Sequence, residues 1–317
     1  MNINHRQRYV SVFLITILLL VSVSVFAGAV KETPVSSDTI QFVDSRGKTI
    51  LLEKIPQRIV SLSPNITETL FALGAQERIF GRTDYCDYPQ ETKTIPSMGD
   101  LFTPSIEMIV STGCDLVIVS TLGQSQTIEA IEQTGINVAF IEESSDIEGT
   151  YRLIEQVGIL IGSHEESLRL IDSMKHMISY VQQTIPQQKR PTVYYVAGFG
   201  EWGEFTASGD TYIHDIIELA GGQNIAADSV NWSFQTELLI ERDPNIIILP
   251  PSWGSTFEET YKQFSSAHPY NTLSAVRQHT VYPFDNGMVE RQGPRSADAV
   301  LALAKLFHPS LNWEDIE

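Results

Sequence analysis

The chain has 317 residues, of which 42% are hydrophobic and 19% charged, and its formal net charge is -18. This composition excludes a disordered chain, and the acidic balance argues against a nucleic-acid partner because it would repel phosphate backbones. The length is about twice that of an ordinary domain, which favours two domains.

The first 29 residues are typical of an export signal. Arg6 and Arg8 precede an apolar run that ends in the small residues Ala27, Gly28 and Ala29. This order predicts residues 1–29 as a cleavable signal peptide and a periplasmic location. An uncleaved N-terminal anchor is the alternative, because the run has about 18 apolar-biased positions.

The exported chain has two cysteines, Cys86 and Cys114. Cys86 follows one predicted strand and Cys114 precedes another, so in a parallel sheet they would lie at opposite ends of neighbouring strands. A disulfide cannot span that distance. We therefore predict two free thiols.

Short strands and helices alternate from residue 39 onward. FVDSRGKTI predicts a hairpin that turns at Arg46-Gly47, and the apolar runs RIVSLS, LVIVS and NVAFIE predict parallel strands buried on both faces. TPSIEMIVSTG predicts a short helix with Thr103 as N-cap and Pro104 as its first residue. Residues 30–150 are predicted as an N-terminal α/β lobe.

A segment without Gly or Pro follows, from Ser163 to Ile185. Its apolar residues recur at steps of three and four, which predicts one helix of roughly 34 Å. The alternation of strands and helices then resumes up to the end of the chain. We predict a connecting region at 151–189 that holds this helix, and a C-terminal α/β lobe at 190–317.

Two stretches repeat each other, IEMIVSTGCDLVIVS from Ile106 and TELLIERDPNIIILP from Thr236. Their alignment pairs Glu107 with Glu237. A duplication of this kind would place one glutamate at corresponding points of the two lobes. A carboxylate in the first turn also suits the helix dipole, so a structural role and a paired docking role both stay open.

Several motifs argue against a cofactor or a reaction. Gly198–Gly203 has the pattern G-x-G-x-x-G, but EFTASGD separates it from the next helix, as a dinucleotide site would not allow. The histidines lack metal-ligand spacing, and no residues combine a nucleophile, a base and an orienting acid. We expect no bound metal, no resident cofactor and no enzymatic activity.

Aromatic residues concentrate in loops that follow predicted strands. In open α/β sheets ligands bind at the carboxyl ends of strands, so these loops can face each other across a cleft. Flat aromatic faces with polar tips suit a large, partly apolar ligand. The aromatic residues predicted to contact it are Tyr85, Phe102, Trp202, Trp232 and Trp253.

Most of the chain resembles a known family, the helical-backbone periplasmic binding proteins of ABC importers for cobalamin, haem or ferric siderophores. The resemblance lies in RIVSLSPNITETLFALGAQERIFGRTDYCDYP, SIEMIVSTGCDLVIVS and FTASGDTYIHDIIELAGGQNIA. It is strongest to cobalamin-binding members, through TDYCDYP and ERQGPR. It implies the class III periplasmic binding protein fold, an α/β fold of two Rossmann-like lobes joined by a single long backbone helix.

The resemblance also implies a function. The protein would capture cobalamin or a related corrinoid between its lobes, as a monomer, and present it to the permease dimer of an ABC importer. Glu107 and Glu237 match the glutamates that pair with arginines of the two permease subunits. A haem or ferric-siderophore receptor is the alternative, and a metal-ion receptor is a further one.

The ligand contacts match cobalamin-binding members in part. Tyr85 falls on the tyrosine that they place against the corrin, and Trp232 lies within a residue of their second-lobe tryptophan. The chain has Leu101-Phe102 at their first-lobe tryptophan. It has Gly287, with Asp285 nearby, at their late aspartate, so Asp285 joins the predicted ligand-binding residues. These departures keep haem open, with Tyr85, Tyr212 or His214 as iron ligands.

Overall fold

The computed structural model describes residues 39–185, 190–252 and 254–313. The predicted signal peptide lies outside these residues. Within the described ranges, no helix combines the length and the apolar character needed to cross a bilayer. Cys86 and Cys114 are both buried free thiols, which confirms that prediction.

The first lobe is built on a parallel sheet. A hairpin precedes it, β1 (Ile40–Val43) and β2 (Thr49–Leu52), and turns through Arg46 and Gly47 as predicted. The sheet has the order β4-β3-β5-β6. Its strands are β3 (Ile59–Ser61), β4 (Ile79–Arg82), β5 (Leu116–Ser120) and β6 (Asn137–Ile141). Every residue of β5 is buried, as a central strand covered on both faces requires.

Three helices follow strands of the first lobe, α1 (Pro64–Ala72), α2 (Ile106–Ser111) and α3 (Ser125–Glu132). The predicted start of α2 was wrong. Ser105 is the N-cap, and its Oγ accepts a hydrogen bond from the backbone N–H of Met108 at 3.3 Å, so Thr103 and Pro104 precede the helix. Serine caps a helix at least as well as threonine.

Two helices connect the lobes, α4 (Ile147–Leu160) and α5 (His164–Thr184). The 21 residues of α5 confirm the predicted long helix. The sequence analysis missed α4, which crosses the predicted boundary at residue 150, because two glycines weaken its helical pattern. One of them has a packing role: a Cβ at Gly158 would lie 2.5 Å from the Cβ of Ser167, so glycine lets α4 and α5 approach closely.

The second lobe also consists of a sheet and helices, but its sheet is mixed. Its order is β11-β10-β7-β8, with β9 also paired to β7, and only β8 runs antiparallel to β7. The strands are β7 (Thr192–Gly198), β8 (Phe205–Thr206), β9 (Gln223–Asn224), β10 (Ile246–Ile248) and β11 (Val281–Tyr282). The helices are α6 (Tyr212–Leu219), α7 (Thr236–Arg242), α8 (Phe257–Ser266), α9 (Ser274–Arg277), α10 (Asn286–Glu290) and α11 (Ser296–Phe307).

Asp115 and Asn245, which occupy the same position in the two repeated stretches, make equivalent hydrogen bonds in the two lobes. Asp115 precedes β5, and its carboxylate accepts hydrogen bonds from the backbone N–H groups of Gln57 and Arg58, just before β3. Asn245 precedes β10, and its side-chain oxygen accepts from the backbone N–H of Thr192, the first residue of β7. Each side chain therefore fixes the start of the neighbouring parallel strand.

One hydrophobic core extends through both lobes. Alternate strand residues point to opposite faces, so Ile59 and Leu116 of the first sheet join the same core as Val193 and Ile246 of the second. Helices α4, α5, α6 and α11 contribute buried residues to this core. Each sheet packs its other face into a smaller core of its own.

Candidate ligand-binding cleft

Two cavities lie where strands of the two sheets end. The first cavity, of about 330 Å³, follows β3, β4, β5 and β6, and the second, of about 400 Å³, follows β7 and β10. Asn286, Glu290 and Arg291 line both, so we treat the two cavities as one cleft. Each volume lies within the range of small-molecule pockets. The cleft occupies the edge at which open α/β sheets bind ligands.

The first cavity has an apolar wall. Tyr85, Phe102 and Leu122 line it, and Phe102 and Leu122 are 43% and 54% exposed. The backbone N–H of Phe102 donates to Asp100 Oδ1 at 2.8 Å, which fixes the loop that carries the ring. The structure thus places Tyr85 and Phe102, from two different loops, in one cavity.

A carboxyl group of the first lobe forms part of the floor. Glu143 comes two residues after β6, and its Oε1 accepts hydrogen bonds from Asn65 Nδ2 at 2.7 Å and Ser120 Oγ at 2.8 Å. Burial raises the pKa of the Glu143 carboxyl, because the two donors offset only part of its lost hydration. Among the described residues, none donates a hydrogen bond to its Oε2.

A carboxyl group of the second lobe lies on the other side. Glu290 ends α10 and is open to the cleft, and its Oε1 accepts from the Tyr195 hydroxyl at 2.9 Å. The surrounding protein raises the pKa of the Glu290 carboxyl by removing part of its water. Burial also raises the pKa of Tyr195 well above its ordinary value, so this phenol keeps its proton and donates.

Arg291 is the only basic residue among the described residues that line the cleft. Its guanidinium bonds Asp87 at 2.6 Å and Glu68 at 3.1 Å, and donates to the Tyr85 carbonyl at 3.3 Å. Burial alone would lower the pKa of Arg291, but these two carboxylates outweigh it and raise that pKa. The positive charge is therefore already balanced by the protein.

Asp285 does not line either cavity. Its Oδ1 caps α10 by accepting from the backbone N–H of Gly287 at 2.8 Å, and its Oδ2 pairs with Arg295 at 3.1 Å. The residue predicted to contact the ligand thus fixes the helix that carries Asn286 and Glu290. A direct contact from Asp285 remains a prediction.

Trp232 lies beside the cleft rather than in its described lining. The indole is 40% exposed, and its residue has a φ of 59°, in a loop held by a hydrogen bond from the Trp232 N–H to Ser208 Oγ at 2.9 Å. Thr206 of β8 donates to the Trp232 carbonyl at 2.9 Å. Next to Thr206, the ring of Phe205 lies against Gly198 of the second cavity.

The other residues predicted to contact the ligand or its iron do not line the cleft in the described part of the structure. The side chains of Trp202 and Trp253 lie outside the described part of the structure, although Gly254 lines the second cavity. Tyr212 is 6% exposed and packs in the shared core, and His214 bonds Asn224 at 3.1 Å. Neither Tyr212 nor His214 lines the cleft, so only Tyr85 of the three proposed iron ligands lies there.

Sequence analysis missed the polar floor, made by Asn65, Glu143, Glu290 and Arg291. The aromatic residues were predicted because they follow the carboxyl ends of strands. Glu143 also follows the end of a strand, so the same criterion would have found it. Glu290 is the last residue of a short helix and Arg291 follows it, so neither comes directly after a strand. Across the described ranges, no three His, Cys, Asp or Glu side chains are grouped as metal ligands would be.

Glu107 and Glu237 occupy equivalent surface positions. Each is the exposed second residue of its helix, α2 or α7. Two residues further on, Ile109 and Leu239 are fully buried, and the residues after those, Val110 and Ile240, are 45% and 41% exposed. The two lobes thus present the same arrangement of a carboxylate beside an apolar side chain.

These features are those of a bilobal solute-binding protein. Residues 59–286 match the periplasmic binding protein family, and the chain belongs to that family. This confirms the fold that the resemblance implied.

Similar proteins agree with this placement. The chain is 28% identical over 288 residues to the ABC transporter substrate-binding lipoprotein YvrC of Bacillus subtilis, covering 89% of this chain and 88% of that protein. It is 24% identical to the cobalamin-binding protein of Halobacterium salinarum, covering 96% and 85%. Its structure is similar to the apo periplasmic heme-binding protein RhuT of Roseiflexus, with a TM-score of 0.70, 25% identity, and coverage of 80% and 98%.

Proposed function

We propose that this protein is the exported substrate-binding component of an ABC importer and that it captures cobalamin or a related corrinoid. The observation that carries the proposal is the cleft, which joins the apolar wall of Tyr85, Phe102 and Leu122 to a floor of hydrogen-bonding groups. A corrin has the same division, an extended macrocycle with amide side chains at its edge. The cobalamin-binding relative aligns along nearly the whole chain.

Delivery to the importer uses Glu107 and Glu237. Their equivalent positions give one acidic contact per lobe, which suits two copies of a basic site on a two-subunit permease. Exposed charges of this kind mainly set orientation and the rate of encounter. The protein acts as a monomer in the periplasm, binds its ligand reversibly and catalyses no reaction.

A haem receptor is the second candidate. Tyr85 lines the first cavity, and a phenolate can ligate haem iron. The similar structure from Roseiflexus is a heme-binding protein. This function would require the propionates of haem to be bound in a cleft whose one described cation is already paired.

Calorimetric titration of the purified mature protein tests the proposal, with cyanocobalamin and haemin in parallel. One-to-one binding of cyanocobalamin alone is the expected result. Binding of haemin with a shifted Soret band, and no heat with cyanocobalamin, would reject the corrinoid assignment and make Tyr85→Phe the next variant. Silence with both ligands would also reject it and direct the search to ferric siderophores.

A further inference from the structure

The described lining of the cleft carries more negative than positive charge. Its cation, Arg291, is bonded to Asp87 and Glu68. Glu68 also pairs with Arg295, and Arg295 with Asp285, so two arginines face three carboxylates within this network. Glu143 and Glu290 lie in the cleft in addition. A ligand that enters therefore meets acidic groups and no spare positive charge among the described lining residues.

The hydrogen bonds at the two glutamates come from neutral donors. Asn65 and Ser120 donate to Glu143, and Tyr195 and, at 3.5 Å, Asn286 donate to Glu290. A neutral donor stabilises a carboxylate less than a cation does. Both groups would gain from further N–H donors, and the accepting oxygens lie along the cavity into which the ligand would fit.

We propose that Glu143 and Glu290 select the ligand by its edge groups: they accept hydrogen bonds from carboxamide N–H groups and exclude ligands that carry carboxylates in their place. The inference rests on the proposed corrinoid function and names the chemical feature that the cleft recognises. The cavity forms the binding site, and the two glutamates determine its specificity.

The physical reason is the difference between the two ligand groups. An amide N–H placed against a carboxylate makes a charge-assisted hydrogen bond. A ligand carboxylate at the same place brings two like charges together in a partly dehydrated cleft, which weakens binding unless a proton is taken up. The acidic floor would thus bind a ligand with carboxamide groups more tightly than a ligand of the same shape with carboxylates.

The test uses a matched pair of ligands, dicyanocobinamide and dicyanocobyrinic acid. They share the corrin ring, and the second carries carboxylates in place of the side-chain amides. At pH 8 we expect the wild type to bind the amide form about 100-fold more tightly. In the double variant Glu143→Gln/Glu290→Gln this ratio should fall at least about tenfold. Circular dichroism and melting curves check that the variant is folded.

Glu142→Gln is the control, because it removes the same charge next to Glu143 from a side chain that does not line the cleft. It should leave the ratio unchanged. Equal affinities in the wild type, or an unchanged ratio in the double variant, would overturn the inference while the corrinoid function stands. Failure of both corrinoids, or tight binding of haemin with its propionates, would remove both proposals together.

Discussion

Arg295 and Glu68 are 227 positions apart in the chain and are joined by two hydrogen bonds, from Nε and from Nη2, each of 2.8 Å. Their side chains are 10% and 3% exposed. Glu68 belongs to α1 of the first lobe and Arg295 to the segment between α10 and α11 of the second. A buried ion pair therefore ties the two lobes together behind the cleft.

Arg295→Met should reduce the free energy of unfolding by about 3 kcal/mol, because it leaves Glu68 buried with only the contact from Arg291. Urea denaturation followed by circular dichroism measures this change. Arg169→Met is the control: Arg169 pairs with Glu166 on the surface of α5, and its loss should cost below about 0.5 kcal/mol. Equal losses for both variants would contradict the prediction.

Phe102→Ala and Tyr85→Ala should each raise the Kd for cyanocobalamin about tenfold, since each removes an aromatic face from the wall of the first cavity. Titration calorimetry gives the Kd values. Tyr88→Ala is the matched control. Tyr88 comes three residues after Tyr85, but it lies under the Arg295 guanidinium and lines a different cavity. A larger effect from Tyr88 than from Tyr85 would place the ligand elsewhere.

Glu107→Ala and Glu237→Ala should each slow ligand uptake by the reconstituted importer about tenfold while leaving the Kd for the ligand unchanged. Both glutamates are exposed and lie outside the cleft lining. Glu258→Ala removes an exposed first-turn glutamate of α8 and should leave uptake at the wild-type rate. The docking role fails if the three variants transport equally well.

Glu143→Gln should stabilise the protein at neutral pH. The pKa of Glu143 is raised in the folded state, so ionisation costs more there than in the unfolded chain. That cost is fully present above the folded pKa and disappears as the pH falls below the unfolded value of 4.5. The melting temperature of the variant should therefore exceed that of the wild type at pH 8, and the difference should vanish near pH 4. A difference independent of pH would contradict this.

The sequence predicted most elements because their signals are local. Continuous apolar strands such as LVIVS and the uninterrupted helix before Ile185 follow from residue periodicity alone. Helix α4 could not be predicted in this way. Gly158 is favourable there only because it lets α4 pack closely against Ser167 of α5. A propensity scale registers the cost of the glycine and cannot register the contact that it allows.

Some residues of the candidate site could likewise be predicted from local sequence, and others could not. Tyr85 and Phe102 were predicted because aromatic residues in loops stand out in a sequence, and the fold brings both to one cavity. The acidic floor depends on which charges are neutralised. Whether Arg291 is available to a ligand is decided by Glu68, more than 200 positions away, and only the folded chain brings them together.

The hydrophobic core common to both sheets bears on whether either half of the chain could fold alone. Residues of the first sheet and of the second are covered by the same helices, α4, α5 and α11. Removing either half would expose the apolar surface of the other to water. Neither half would therefore keep a complete core alone, and we expect the two lobes to unfold in a single cooperative transition.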